Sequence, residues 1–147
     1  LLYVPHVVGD ERRSDYILSL ELARRHGGTV VLADAERTRK LISTLTMFVG
    51  QRYHSIVSAL STCTPTIAVS DAYKTKALMK HMGLADYMID PHDQSFRTRL
   101  EETVQAALAN REAIRSHLME TIPQVRENIL RMFEEVNACI GTLRHLR

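Results

Sequence analysis

Between positions 50 and 54 the chain reads Gly50-Gln51-Arg52-Tyr53-His54, directly after the apolar run Met47-Phe48-Val49. Arg52 carries a planar fork that matches a carboxylate or phosphate through paired N–H bonds. His54 is the kind of side chain that titrates nearest neutrality. If a strand ends at Gly50 and a helix starts near His54, both side chains stand at a helix N-terminus. Unpaired N–H groups and the positive end of the helix dipole favour an anion there. Gly50 would let the backbone turn and come close to a ligand. The chemistry such a segment could do is anion binding with a proton donor alongside. The same residues also admit a plainer role, with Arg52 paired to a nearby carboxylate and His54 capping the helix.

A second basic set follows the apolar run Thr66-Ile67-Ala68-Val69. It reads Ser70-Asp71-Ala72-Tyr73-Lys74-Thr75-Lys76. Ser70, Lys74 and Lys76 could hold an anion in the same crevice, or the lysines could simply form a solvated basic turn. His6, late in the apolar stretch 1–8, is a second candidate proton donor, the alternative being a satisfied core histidine. His26, His81, His92, His117 and His145 have no constellation around them in the sequence and read as surface.

The elements that must position these residues follow from periodicity. Residues 1–8 read as a buried strand with the turn residues Gly9 and Asp10 behind it. Ser14 caps a helix running through Ile17, Leu20 and Ala23, which His26-Gly27-Gly28 stops. A strand at 29–32, a helix at 36–45, a strand at 47–50 and a helix from about 54 come next. The spacing then predicts a strand at 66–69, a helix at 75–82 ended by Gly83, and a short strand at 87–89. Strands that are continuous apolar runs, alternating with helices, predict a Rossmann-like doubly wound parallel sheet covered on both faces. In such a sheet ligands sit beyond the carboxyl ends of the strands. That rule gathers Pro5, His6, Gly9 and Asp10; Asp34 and Glu36; the residues from Gly50 to His54; and Ser70, Asp71, Tyr73, Lys74 and Lys76 into one crevice.

After Asp93 the pattern turns helical. Residues 96–110 and most of 111–146 read as helix, with Pro123 expected to break or kink the second stretch. Val125, Ile129, Met132, Phe133, Val136 and Ile140 form an apolar stripe that must dock on something, either its own domain or, in a two-domain enzyme, the missing partner domain. The expected organisation is a Rossmann-like core at 1–93 with C-terminal helices at 94–147 packed on it.

Composition narrows the function classes. The 147 residues carry a formal charge of +2 with both signs interspersed, so the concentrated basic stripe of a nucleic-acid binder is missing. Cys63 and Cys139 make neither a zinc spacing nor a disulfide framework and read as reduced thiols of a cytoplasmic protein. No run approaches the ~20 apolar residues of a membrane span, which leaves peripheral membrane contact open. The glycine patterns of a dinucleotide fold and of a phosphate loop are absent, as is the nucleophile elbow. The opening Leu1-Leu2-Tyr3-Val4, without a Met, reads as a piece of a longer polypeptide.

The segment from Met47 to Leu60, with its Gly50-x-Arg52-x-His54 core, resembles the Gly-x-Arg-x-His segment of polysaccharide pyruvyltransferases. Thr64-Pro65-Thr66-Ile67-Ala68, Tyr73, Lys76, Met79 and Gly83-Leu84 extend the likeness, and Val4-Pro5-His6 resembles the opening strand of that family's C-terminal domain. Cys63-Thr64 departs from it, since the turn before Pro65 is often Gly there. The resemblance covers roughly residues 3–90. It implies the C-terminal, donor-binding half of a GT-B-like fold, whose acceptor-binding N-terminal domain is absent from this chain. It further implies a transferase of exopolysaccharide biosynthesis that moves the pyruvyl group of phosphoenolpyruvate to hydroxyls of a sugar or lipid-linked saccharide, with no cofactor or metal. By that likeness Arg52 holds the phosphate or carboxylate, and His54, or else His6, supplies a proton. Two other readings stand beside it, a nucleotide-sugar-binding domain of a GT-B glycosyltransferase and a noncatalytic anion-binding domain. As a lone half-site the chain would bind more readily than it turns over.

Overall fold

The computed structural model describes residues 1–6 and 14–144; Gly9, Asp10 and His145 lie outside the described residues. The described elements follow the alternation of the sequence. They are β1 (Leu2–Tyr3), α1 (Asp15–His26), β2 (Thr29–Val30), α2 (Ala35–Ser43), β3 (Phe48–Gly50), α3 (Tyr53–Ser61), β4 (Thr66–Val69), α4 (Tyr73–His81), a 3-10 turn at Ala85–Tyr87, β5 (Met88–Ile89), α5 (Phe96–Ala109) and α6 (Arg111–Arg144).

Local chemistry explains the ends. Ser14 accepts from the Tyr16 N–H at 3.2 Å and opens α1, and Asp34 accepts from the Arg37 N–H at 2.8 Å and opens α2. Gly27 stops α1 at φ 72°, a conformation that costs glycine little. Cys63 takes a similar left-handed conformation, φ 56°, just beyond the end of α3. A glycine would be unstrained there.

Every strand pairing is parallel. The ladders are two, β1–β2 and β3–β4–β5, and no backbone pairing joins them among the described residues. The chain is thus a mixed α/β protein with small parallel sheets and mostly helix. The first strand is shorter than its apolar run, and Leu1 and Leu2 are exposed rather than buried.

The main core lies on the second ladder. Ile56 and Leu60 of α3, Ile67 and Ala68 of β4, Met79 of α4, Ile89 of β5, Ala107 of α5, and Ile114 and Leu118 of α6 form one buried cluster. Both faces of β4 are therefore covered. A smaller cluster joins Ile42, Phe48 and Ala59. The β1–α1–β2 unit contributes to neither. Of α1 only Ser19 is buried, while Ile17, Leu18 and Leu20 face outward.

Gly50 is occupied by packing. A Cβ there would meet the Phe48 ring at 2.5 Å and Ile56 at 3.0 Å. Its backbone needs no left-handed φ. Close approach of strand to helix alone is enough to require glycine at position 50. Gly50→Ala is expected to cost about 1–3 kcal/mol through overpacking, read as a lower urea midpoint with unchanged slope.

Two further expectations change. The helix runs through Pro123 without a break. Pro123 and Met119, whose carbonyl loses its donor, both lie on the solvent side, where water can take the vacated bond. His117, read as an unengaged surface residue, bonds through Nε2 to the Met82 carbonyl at 2.9 Å and ties α6 to the end of α4.

Candidate anion-binding site

A crevice of about 730 Å³ lies beyond the carboxyl ends of β1 and β2, against α3. Pro5 and His6 line it from the end of β1, Asp34, Arg37 and Thr38 from the start of α2, and His54 and Ser58 from α3. Three of the four predicted sets contribute to it, through Pro5 and His6, Asp34, and His54, whereas Gly50 and Arg52 are not among the residues that line it.

Arg52 is the N-cap residue of α3, and no side chain caps that helix. His54 follows in the first turn, its ring edge-on to Tyr53 with centroids 5.7 Å apart. So His54 is not the helix cap. Arg52 reaches across to Asp15, the first residue of α1. Its Nη2 donates to Oδ1 at 2.7 Å and its Nε to Oδ2 at 3.3 Å. Asp15 Oδ2 also accepts from the His6 backbone N–H at 3.4 Å. One carboxylate therefore links the end of β1 to the end of β3. The plainer role for Arg52 is present in the structure: it has a carboxylate partner. The hydrogen bond to Asp15, and then its charge, raise the Arg52 pKa further and keep the cation fixed.

His6 is pushed below the ordinary histidine value of 6.5. Desolvation by the surrounding protein is the largest cause; Asp15 opposes it and Arg52 adds to it. The fold thus favours neutral His6. Its contribution to stability is present above pH 6.5 and falls away as pH drops through the folded value. An anion placed beside His6 would reverse the preference and draw a proton on binding. Anion affinity is therefore expected to rise as pH falls toward the lowered His6 value. A bound phosphate monoester titrates near pH 6 as well, so the part due to His6 is the difference from His6→Gln. Calorimetry in two buffers of different ionisation enthalpy measures that difference in proton uptake.

The second basic set does not join the crevice. Lys76 Nζ lies 3.5 Å from Asp90 Oδ2 at the end of β5. Ser70 is buried, its Oγ accepting from the Ala72 N–H at 3.2 Å and lying 3.4 Å from Thr75 Oγ1, which fixes the turn into α4. Lys74 comes nearest, with Nζ 4.7 Å from the centre of the Tyr53 ring, a cation–π contact on the rim beside His54. The single crevice expected for all four sets divides because Lys76 and Ser70 find partners on their own ladder.

Asp15, Arg37 and Thr38 were not expected at the site. An acidic residue in the first turn of a helix is what the dipole favours anyway, so nothing in the sequence marks Asp15 out. Among the described residues no group of three or more His, Cys, Asp or Glu side chains could hold a metal ion, and no helix is long and apolar enough to cross a membrane. Compared with protein-family models the chain matches none, and no solved structure matches it.

Proposed function

We infer that the chain is the donor-binding half of a pyruvyl transfer, taking phosphoenolpyruvate in the crevice at His54 and His6, with Arg52 beside it at the start of α3. The observation that carries this reading is the convergence of Arg52 and His54 on the uncapped N-terminus of α3, with His6 facing them from β1. The Gly50-x-Arg52-x-His54 likeness to polysaccharide pyruvyltransferases names the donor. In this reading the two ladders correspond to a doubly wound sheet of order β2-β1-β3-β4-β5, with the crevice at its switch point, where open sheets bind ligands.

The chemistry asks for few groups. A sugar hydroxyl adds to the enol carbon of phosphoenolpyruvate while the methylene carbon accepts a proton. Phosphate then leaves with its bonding electrons, and a second hydroxyl closes the ketal. Protons lost by the two hydroxyls balance the one gained at carbon and the one leaving with phosphate. Arg52 and the α3 amides hold the anion and offset its charge. His54 is the first candidate for the acid. His6, neutral in the free protein and drawing a proton when the anion binds, is the second candidate for the acid.

A second reading is favoured by one observation: Asp15 already occupies an edge of Arg52, as in a binding domain without chemistry. Thermal melts with ligand separate the readings. Phosphoenolpyruvate is expected to raise the melting temperature, by the linkage of a ligand that binds only the folded state, more than inorganic phosphate or UDP does. Equal shifts with phosphate would leave only the noncatalytic reading. A shift with UDP alone would move the site to a nucleotide-sugar donor.

A further inference from the structure

Helix α6 outruns the body it packs on. Ile114 and Leu118 are buried in the main core, and Ile122 and Val125 pack against it half-buried. From position 126 to position 140 every residue is exposed. The apolar stripe does not stop where the body does. Ile122, Val125, Ile129, Met132, Val136 and Cys139 continue three and four apart, and Phe133 and Ile140 widen the same face. Ile129 is 46% exposed, Phe133 56% and Val136 48%. The charged residues Glu127, Arg131 and Glu134 lie on the opposite side, with Arg131 Nη2 paired to Glu127 Oε1 at 3.1 Å.

We propose that this overhang pairs with the same segment of a second copy, antiparallel, to make a twofold dimer. The spacing of the stripe selects a helix as occupant, because alternating steps of three and four present a straight seam to another helix. The body selects the direction. Upstream of position 126 the same stripe faces the chain's own core, so a parallel second helix would run into that core. An antiparallel one meets only the overhang and leaves the two bodies at opposite ends. The layers are then Ile129 against Cys139 of the second copy and Met132 against Val136, with Phe133 near the twofold axis. Burying the exposed parts of Ile129, Met132, Phe133, Val136 and Ile140 removes on the order of 1,000 Å² in total, at the lower edge of specific interfaces. The dimer is accordingly expected to be weak, with a Kd on the order of 10 µM.

Sedimentation equilibrium of the 147-residue chain reads this directly. A monomer–dimer equilibrium is expected, with Ile129→Glu plus Val136→Glu giving a monomer whose melting temperature and helix content match those of the wild-type chain at concentrations well below the expected Kd, since both sites lie outside the body's core. Orientation is read by oxidation. Ile129→Cys should form an interchain bridge to Cys139, mapped by peptide digestion, whereas the wild-type chain should not bridge through Cys139. A wild-type chain that stays monomeric at about 200 µM, far above the expected Kd, overturns the proposal and assigns the face to a different polypeptide. A dimer that survives both glutamates, or a Cys139–Cys139 bridge, also overturns it.

Discussion

Arg52→Ala is expected to weaken phosphoenolpyruvate binding by at least about 100-fold, or about 3 kcal/mol, while leaving the fold nearly as stable as before. The binding cost follows from removing a cation that donates two bonds to an anion, each worth about 1.5–3 kcal/mol when a charge is involved. The small stability cost follows from exposure. The Arg52 side chain is 48% exposed, and its pair with Asp15 sits at the surface, where such pairs contribute about 0–1 kcal/mol. The two effects are separable by titrating ligand and urea into the same preparation. Arg52→Lys should fall between, because an ammonium restores the charge without the planar fork. Loss of folding in Arg52→Ala would instead assign the residue to the joint between the two ladders.

Leu118→Ala is expected to cost about 2–5 kcal/mol. Leu118 is fully buried and belongs to the cluster that holds Ile56, Ile67, Met79 and Ile89. The expected division into a core at 1–93 and helices at 94–147 packed on it therefore has an energetic consequence. Ala107, Ile114 and Leu118 complete the core that lies on the second ladder. A domain holds about 5–15 kcal/mol in all, so this one truncation removes a large share. A urea melt followed by far-UV circular dichroism measures it. A cost below about 1 kcal/mol would mean that α6 is dispensable to the ladder it covers.

The features legible in the sequence were those carried by neighbours along the chain. Ser14 was readable as a helix start because a cap bonds two or three residues ahead. The strand at Thr66–Val69 was readable to the residue because turn chemistry bounds it and helices cover both of its faces. Strands β1 and β2 came out shorter than their apolar runs, since pairing rather than hydrophobicity ends a ladder and each has a single partner. At the site, the placing of His6, Arg52 and His54 near one opening followed from topology alone. What could not be read were the partners. Asp15 lies 37 residues from Arg52, and the pair forms only when the ends of β1 and β3 come together. Lys76 was expected in the crevice, yet it pairs with Asp90 at the end of the next strand. Gly50 looked like a ligand-facing turn because the ring that excludes a side chain there, Phe48, comes from the same strand two residues back and shares its face.

The central claim, that Arg52 anchors phosphoenolpyruvate at the start of α3, is tested most directly by calorimetric titration of phosphoenolpyruvate into the wild-type chain and into Arg52→Ala. Saturable binding by the wild type that disappears in the variant, with both proteins showing the same melting temperature, is the expected result. Equal binding by the two proteins, or no binding by the wild type at millimolar ligand, would contradict it.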